Sequence, residues 1–364
     1  MDELVGISGL NHFAKKPIRV FCRLTSNCGE NAGRDTNTVK ALLLNPPGRE
    51  VYIRDYFCSK VSQADYISQP IDLVVLSGIL KSAGIEVVLI DAVVERLSPD
   101  EALEQAGSHQ AEVVISLAGS VSWKEDRSFL EKLKERTGAK IAVCGDLFLE
   151  NPREWLDKND FIDAVILDFT SGDVAVYVNS GKVSSEAVVH REMNLPVAPD
   201  RNRTFETRVA PMHELFLPLA YRYPFTLSRK YCSVLTQFGC PFDCSFCIMG
   251  KLRYRVRPTE DVMRELERIK ELGVRELFFV DQTFGANKTG ARELLREMTT
   301  RNMGFSWFCF SRVDVLQPEL LRLMKDAGCH TVIVGIESGS ESLLSKYRKG
   351  YDREQIRSAL GMCE

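Results

Sequence analysis

The sequence has little net charge, few histidines and no long apolar run, and each shortage removes a class of function. A formal charge of −3 over 364 residues gives no general attraction for nucleic acid or an anionic membrane surface. No uninterrupted apolar stretch approaches the roughly 18 residues of a membrane span. The opening "MDELVGISGLNHF" carries acidic residues and no long apolar core. It does not read as a secretory leader, and the cytoplasm is the expected compartment. With 45% apolar and 27% charged residues, the composition is that of a globular protein of about two domains.

Cysteine, by contrast, is not scarce. Eleven is a high and odd count. In a large chain without an export signal, cysteines read as metal ligands, reactive thiols or small core residues before they read as disulfides. Eight of them (Cys22, Cys28, Cys58, Cys144, Cys232, Cys309, Cys329 and Cys363) are scattered. Cys144 in "KIAVCG" and Cys309 in "SWFCF" fall inside strand-like runs and read as packing. The other three crowd into "GCPFDCSFC", residues 239–247, spaced C-x3-C-x2-C as Cys240, Cys244 and Cys247. No cysteine or histidine completes the run nearby, whereas structural zinc and electron-transfer iron–sulfur sites ordinarily take four protein ligands. Three readings follow: a cluster with one corner open, a zinc knuckle with Cys232 as fourth ligand, or three cysteines in a tight turn. Zinc sites more often carry paired C-x2-C units, and a second pair is missing.

Residues 1–37 show no clear period and form an N-terminal extension. From 38 to 169, "TVKALLLN", "EVVLIDA", "AEVVISLA", "KIAVCG" and "DAVILDF" are short Val/Ile/Leu-rich runs, the pattern of strands buried on both faces. Helix-like segments lie between them. Ser98 with Pro99 and Glu101 predicts a capping box, Ser122 with Glu125 repeats it, and Asn151-Pro152 with Glu154 opens the next helix. Strand and helix alternating five times predicts an α/β, doubly wound domain, with a flavodoxin-like strand order. Residues 170–228 lose the rhythm and read as a connector packed across both halves.

A second series occupies 229–364. "CSVLTQF", "RELFFVDQTF", "FSWFCFSRVD" and "TVIVGIES" alternate with helices, among them "RPTEDVMRELERIKELG", whose Val262, Leu266 and Ile269 share a face and which Gly273 closes. Four strand–helix units in a row are the grammar of a (β/α) barrel, where chemistry gathers at the carboxyl ends of the strands. The cysteine loop, "DQTF", "SRVD" and "GIES" end the four strands in turn. That rim holds Asp281 and Gln282, with Asn287 further along, then Arg312, Gly335, Glu337 and Ser338. The planar guanidinium of Arg312 suits a carboxylate, or pairs with Asp314 as a rim salt bridge. His330 lies at the opposite end and reads as structural.

Three cysteines at this spacing, opening a (β/α) series, resemble the radical S-adenosylmethionine (radical SAM) superfamily. The resemblance implies that Cys240, Cys244 and Cys247 hold a 4Fe-4S cluster and that S-adenosylmethionine chelates the remaining iron. Phe246, the aromatic before the last cysteine, would help seat the adenine. Arg312 would clamp the methionyl carboxylate, and Glu337 and Ser338 would meet ribose hydroxyls or the amino group. Asp281, Gln282 and Gly335 would line the same mouth. A low-potential electron donor, a flavodoxin or ferredoxin, and a small-molecule or peptide substrate are implied as partners.

A doubly wound domain ahead of such a barrel resembles the superfamily's cobalamin-binding subfamily, which includes radical methyltransferases and an anaerobic cyclase. "LLLNPPG", with "IRDYFCS" after it, carries part of that likeness. Cobalamin would lie on the carboxyl ends of the first sheet, with Ser116, Gly119, Ser120 and Gly145 admitting its nucleotide tail and Arg54 near the lower face of cobalt. The D-x-H-x-x-G motif is absent, and none of the five histidines lies in the matching loops. Two alternatives stay open: a radical enzyme without cobalamin, such as a methylthiotransferase, or a metal-binding but catalytically incomplete protein. The family's partial barrel has six strands and this series shows four, so the chain is expected to be part of a longer enzyme.

Overall fold

The computed structural model describes residues 38–64, 66–193, 205 and 209–363. The expected extension at 1–37, with Cys22 and Cys28, lies outside them, as does most of "NLPVAPDRNRTFETRV". In chain order the first half runs β1 (Lys40–Asn45), β2 (Tyr52–Asp55), β3 (Cys58–Val61), α1 (Ile71–Ser82), β4 (Glu86–Asp91), α2 (Pro99–Ser108), β5 (Val113–Leu117), α3 (Trp123–Thr137), β6 (Lys140–Cys144), α4 (Pro152–Lys158) and β7 (Ala164–Ile166). It ends with α5 (Asp173–Ser180) and β8 (Val188–His190). The sheet order is β4-β1-β5-β6-β7-β8, with the first five strands parallel and β8 antiparallel to β7. By chain rank the parallel strands run 2-1-3-4-5, the flavodoxin-like order. The sheet therefore continues to His190, past the boundary expected at 169.

Alternation along the strands sends side chains to two cores. Leu42, Leu44, Val114 and Ile141 meet α2, α3 and α4 on one face. Ala41, Leu43, Ile115 and Ala142 meet α1 and α5 on the other. Helix α1 is buried from Ile71 to Leu80, apolar nearly all round, because it is covered on two sides. Its core also takes in Leu235, Phe278 and Phe308 of the second half.

That half contains α6 (His213–Phe216), β9 (Cys232–Val234), β10 (Gln237–Phe238), β11 (Arg255–Val256), α7 (Thr259–Glu271), β12 (Glu276–Phe279), α8 (Lys288–Thr300), β13 (Ser306–Ser311), α9 (Pro318–Asp326), β14 (Cys329–Val334), α10 (Glu341–Lys346) and α11 (Arg353–Cys363). Its sheet is parallel in the order β14-β13-β12-β9, four consecutive strand–helix units. Helices α7, α8 and α9 cover the outer face.

Local expectations met tertiary competition. Ser98 makes its capping box with Glu101. Ser122 does not cap α3: its hydroxyl donates to Asp126 at 2.6 Å and accepts from Arg54. Asn151 takes a left-handed conformation and makes no side-chain cap. The run "CSVLTQF" is two strands rather than one. The amides of Thr236 and Gln237 both donate to the Asp281 carboxylate, which ends the β9 ladder and turns the chain into β10.

Candidate active site

Strand β10 delivers the cysteine loop to the carboxyl end of the second sheet. Gly239 turns the chain at φ 75°, where an added Cβ would lie 3.0 Å from the Arg253 carbonyl oxygen. The loop closes through Cys247 N donating to Cys244 O at 3.0 Å, and is tied to the end of α10 by Ser245 N donating to Tyr347 O. Cys240, Cys244 and Cys247 all line one cavity of about 580 Å³. Among the described residues no three Cys, His, Asp or Glu converge on a single-ion site. Cys232, the candidate fourth zinc ligand, is fully buried in the outer core instead. There it neighbours His213, whose Nε2 lies 2.7 Å from Glu265. Burial works against the imidazolium, but Cys232 and Glu265 together push His213 up to about 10.

Arg312 is buried at the cavity wall. Its Nε and Nη2 contact both oxygens of Asp314 at 3.0 and 3.1 Å, Nη1 donates to Cys244 Sγ at 3.1 Å, and Nη2 also reaches Lys349 O. Its carbon Cζ lies 3.8 Å over the Phe242 ring. Asp314 and Cys244 act against the cost of burial and raise its pKa further. The expected carboxylate clamp is therefore corrected: the forked face of the guanidinium is occupied by Asp314, and the remaining nitrogen serves a cysteine.

Gly335, Glu337 and Gln282 also line the cavity. Glu337 has φ 67°, and Lys349 Nζ lies 3.4 Å from its Oε1. Lys349, 4% exposed, lines the cavity too and sits 5.7 Å from the Phe246 ring centroid. Phe246 is 55% exposed and meets Tyr347 edge-on. Burial pushes the Cys247 thiol up, with Cys240 and Cys244 adding to the effect and Lys349 opposing it. The strand-end rule missed Lys349 because it follows a helix, in "KYRKGYD"; a basic run between two short helices was its only signal.

Other expected site residues lie elsewhere. Asp281 is fully buried and holds Thr236 and Gln237. Burial raises its carboxyl to about 6 against those hydrogen bonds. Ser338 accepts from Ser340 N on the exposed surface, Asn287 caps α8 by accepting from Gly290 N, and His330 bonds Glu276 at the amino end of the sheet.

The carboxyl end of the first sheet is knit shut. Arg54 does not face a ligand crevice. Its guanidinium bonds Asp126, Ser122, Asn45 and the Pro46 carbonyl, and both it and Asp126 have fully buried side chains. Ser116 is buried with its hydroxyl donating to Leu117 O. Gly119 N donates to Asp126, and an added Cβ would lie 2.6 Å from Ser59 Cβ. Asp146 accepts from the amides and hydroxyls of both Ser59 and Ser120. Gly145, at φ 148°, passes so near β5 that an added Cβ would fall 1.8 Å from Ala118 O. The hairpin β2–β3 supplies Ser59 to this closure. Its other face gives Asp55, Phe57, Cys58 and Lys60 to the cavity wall that also includes Tyr66 and Tyr223.

The family model described as the Radical SAM superfamily matches residues 234–363. An uncharacterized methyltransferase of Pyrococcus horikoshii is 38% identical over 132 residues, 35% of this chain and 28% of that protein. Another from Synechocystis is 27% identical over 77% of this chain and 49% of its own length. The chain thus spans less than half of these relatives. A solved radical S-adenosylmethionine methyltransferase, TsrM from Kitasatospora setae, with cobalamin and a [4Fe-4S] cluster bound, superposes with a TM-score of 0.67 at 20% identity. It covers 90% of this chain and 67% of that one, a likeness of fold. No described helix is long and apolar enough to cross a membrane. Residues 234–363 thus carry the features of a Radical SAM domain, on a chain whose fold is similar to that of a cobalamin-dependent radical methyltransferase.

Proposed function

We propose that the chain holds a 4Fe-4S cluster on Cys240, Cys244 and Cys247, binds S-adenosylmethionine beside it, and directs radical chemistry at an unactivated carbon. One observation carries this reading. Three thiols, a guanidinium donating to one of them, and Gly335, Glu337 and Lys349 share a single cavity at the carboxyl ends of a parallel sheet. The residues fit the group, since sulfur donors with two cations beside them suit an anionic cluster. When bound, such a cluster supplies the electron that breaks a carbon–sulfur bond of the sulfonium and yields a 5′-deoxyadenosyl radical.

The chain's own residues do the positioning. Arg312, braced by Asp314, fixes Cys244 and offsets its negative charge. Lys349 takes the methionyl carboxylate in place of Arg312, and Glu337 accepts from the amino group. Gly335 lets backbone approach the ligand, and the half-exposed Phe246 ring offers an apolar face to adenine. Ile248 and Phe246 keep water from the cluster side of the cavity. A flavodoxin- or ferredoxin-type donor would deliver the electron.

Cobalamin belongs to the proposal as the occupant of the cavity on the hairpin side, where it would supply a methyl carrier. Asp55, Cys58 and Lys60 would face it. The tail crevice fits less well, because Ser59, Ser120 and Asp146 already satisfy one another. That closure favours, as a second reading, a radical enzyme working without a corrinoid. Anaerobic reconstitution with iron and sulfide, an absorbance spectrum and a 5′-deoxyadenosine assay test the first proposal. A chain with intact cysteines that yields neither cluster nor nucleoside would overturn it. Corrinoid absorbance after purification with added hydroxocobalamin separates the two readings.

A further inference from the structure

The cavity is lined by aromatic rings as well as by charged groups. Side chains alternate across a strand, so Leu277, Phe279, Trp307 and Cys309 point outward beneath α7–α9. Phe278, Val280, Phe308 and Phe310 point inward. Phe278 and Phe308 stack at 4.4 Å with planes 9° apart. Tyr223 lies against both, at 4.8 and 5.5 Å. Tyr66 meets Tyr223 edge-on at 5.3 Å, and Phe310 meets Phe278 edge-on at 5.5 Å.

These rings are not all consumed by one another. Tyr66, Tyr223 and Phe310 line the cavity and are each only half-buried. They come from three separate segments: the stretch before α1, the approach to β9, and β13. Ring faces and edges left open to a cavity by three independent elements form a wall selective for shape. Charged groups line the same cavity: Arg312, Glu337 and Lys349 with the cysteines, and Asp55 and Lys60 from the hairpin.

The geometry points to a flat, unsaturated and largely apolar molecule as the substrate held against this wall of the cavity. The word substrate rests on the radical-enzyme reading; the binding preference does not. Aromatic rings gain from offset and edge contacts with other aromatics beyond the area they bury. A saturated ring of the same skeleton gains the area alone.

The test is a matched pair of probes, 2-naphthol and decahydro-2-naphthol, titrated anaerobically into the full chain by calorimetry. The expected result is one site that prefers 2-naphthol by about fivefold, the size of one or two ring contacts. That preference should fall below about twofold in Tyr223→Leu and in Phe310→Leu, which keep apolar volume and lose the ring. Equal affinities for the two probes would overturn the inference. So would a preference that survives in both variants, with thermal melting showing them folded. The wild-type comparison decides even where a variant does not fold. Reductive cleavage of S-adenosylmethionine by the wild-type chain is measured separately. Its absence would remove the radical reading and leave the naphthol preference standing, whereas equal probe affinities beside normal cleavage would remove only the inference made here.

Discussion

The two sheets treat their carboxyl ends in opposite ways. At the end of the first, Arg54, Asp126, Ser122 and Asn45 satisfy one another in a buried network, while Ser59, Ser120 and Asp146 close a second one. At the end of the second, three thiols, Glu337 and Lys349 stand around a cavity. Polar residues at a strand end thus have two fates. A group whose hydrogen bonds are filled by its own chain stabilises; one left facing space is available for chemistry. Substitutions should divide along that line, with stability lost in the first region and ligand binding lost in the second.

The largest effect is expected at the open end. Replacing Cys240, Cys244 or Cys247 by Ala should abolish the iron–sulfur absorbance and reduce 5′-deoxyadenosine release by more than about 100-fold, because the cluster loses an anchoring thiolate. Undiminished release in any one variant would break the comparison at its functional side. At the closed end, Arg54→Met leaves Asp126 buried and unpaired. The expected loss is about 3–5 kcal/mol in a urea unfolding curve. A loss below about 1 kcal/mol would mean that this network is dispensable, and that the first sheet's end is less committed to stability than its burial implies.

Asp281 sharpens the division because a rim position at a strand end concealed a structural group. Its carboxyl is raised from 3.8 to about 6 by burial. The folded state then holds a proton that the unfolded state releases between those values. This group's contribution to stability is therefore fully present below about pH 4 and declines as pH rises toward 6. Asp281→Asn should flatten that decline, an effect of about 2 kcal/mol across the window. Urea midpoints at pH 4.5, 5.5 and 6.5 for both proteins give the comparison. An unchanged slope would contradict the assignment.

These cases show what was legible in the sequence and why the rest was not. The five parallel strands follow from apolar runs buried on both faces, a pattern that is local and strong; their order is an expectation of the fold class, which pairing between distant strands decides. The Ser98 box was readable because both of its partners lie within four residues. The Ser122 box failed because Arg54 and Asp126 compete for the same hydroxyl, and Arg54 arrives from 68 residues away. At the rim, strand-end topology brings the cysteines, Arg312, Gly335 and Glu337 to one cavity. Topology does not decide which way each side chain turns: Asp281 folds back onto β10 and Arg312 gives its fork to Asp314. Lys349 escaped notice because it reaches the cavity from beyond a helix, where strand-end reasoning does not look. Lys349→Met should weaken S-adenosylmethionine binding by about tenfold, as loss of one charge-assisted contact would, measured by equilibrium dialysis on the reconstituted protein. Unaltered affinity would return the carboxylate to another partner.

The smallest expected effect falls where the two regions meet. Ser59 lies on the hairpin whose other face walls the cavity, and its hydroxyl bonds Asp146 and Ser120 at 3.0 Å each. Ser59→Ala removes those bonds and keeps the Cβ that packs on Gly119, so the cost should be only about 1 kcal/mol. The informative measurement is corrinoid affinity. If the closure is a latch over a nucleotide crevice, loosening Ser120 and Asp146 should tighten hydroxocobalamin binding by about the fivefold that 1 kcal/mol represents. If the closure is the crevice's permanent filling, stability falls by the same amount and corrinoid affinity does not move. The first outcome makes the closed end a guarded ligand site and narrows the contrast between the sheets. The second makes the contrast complete, with all of the chain's ligand chemistry gathered around the three cysteines.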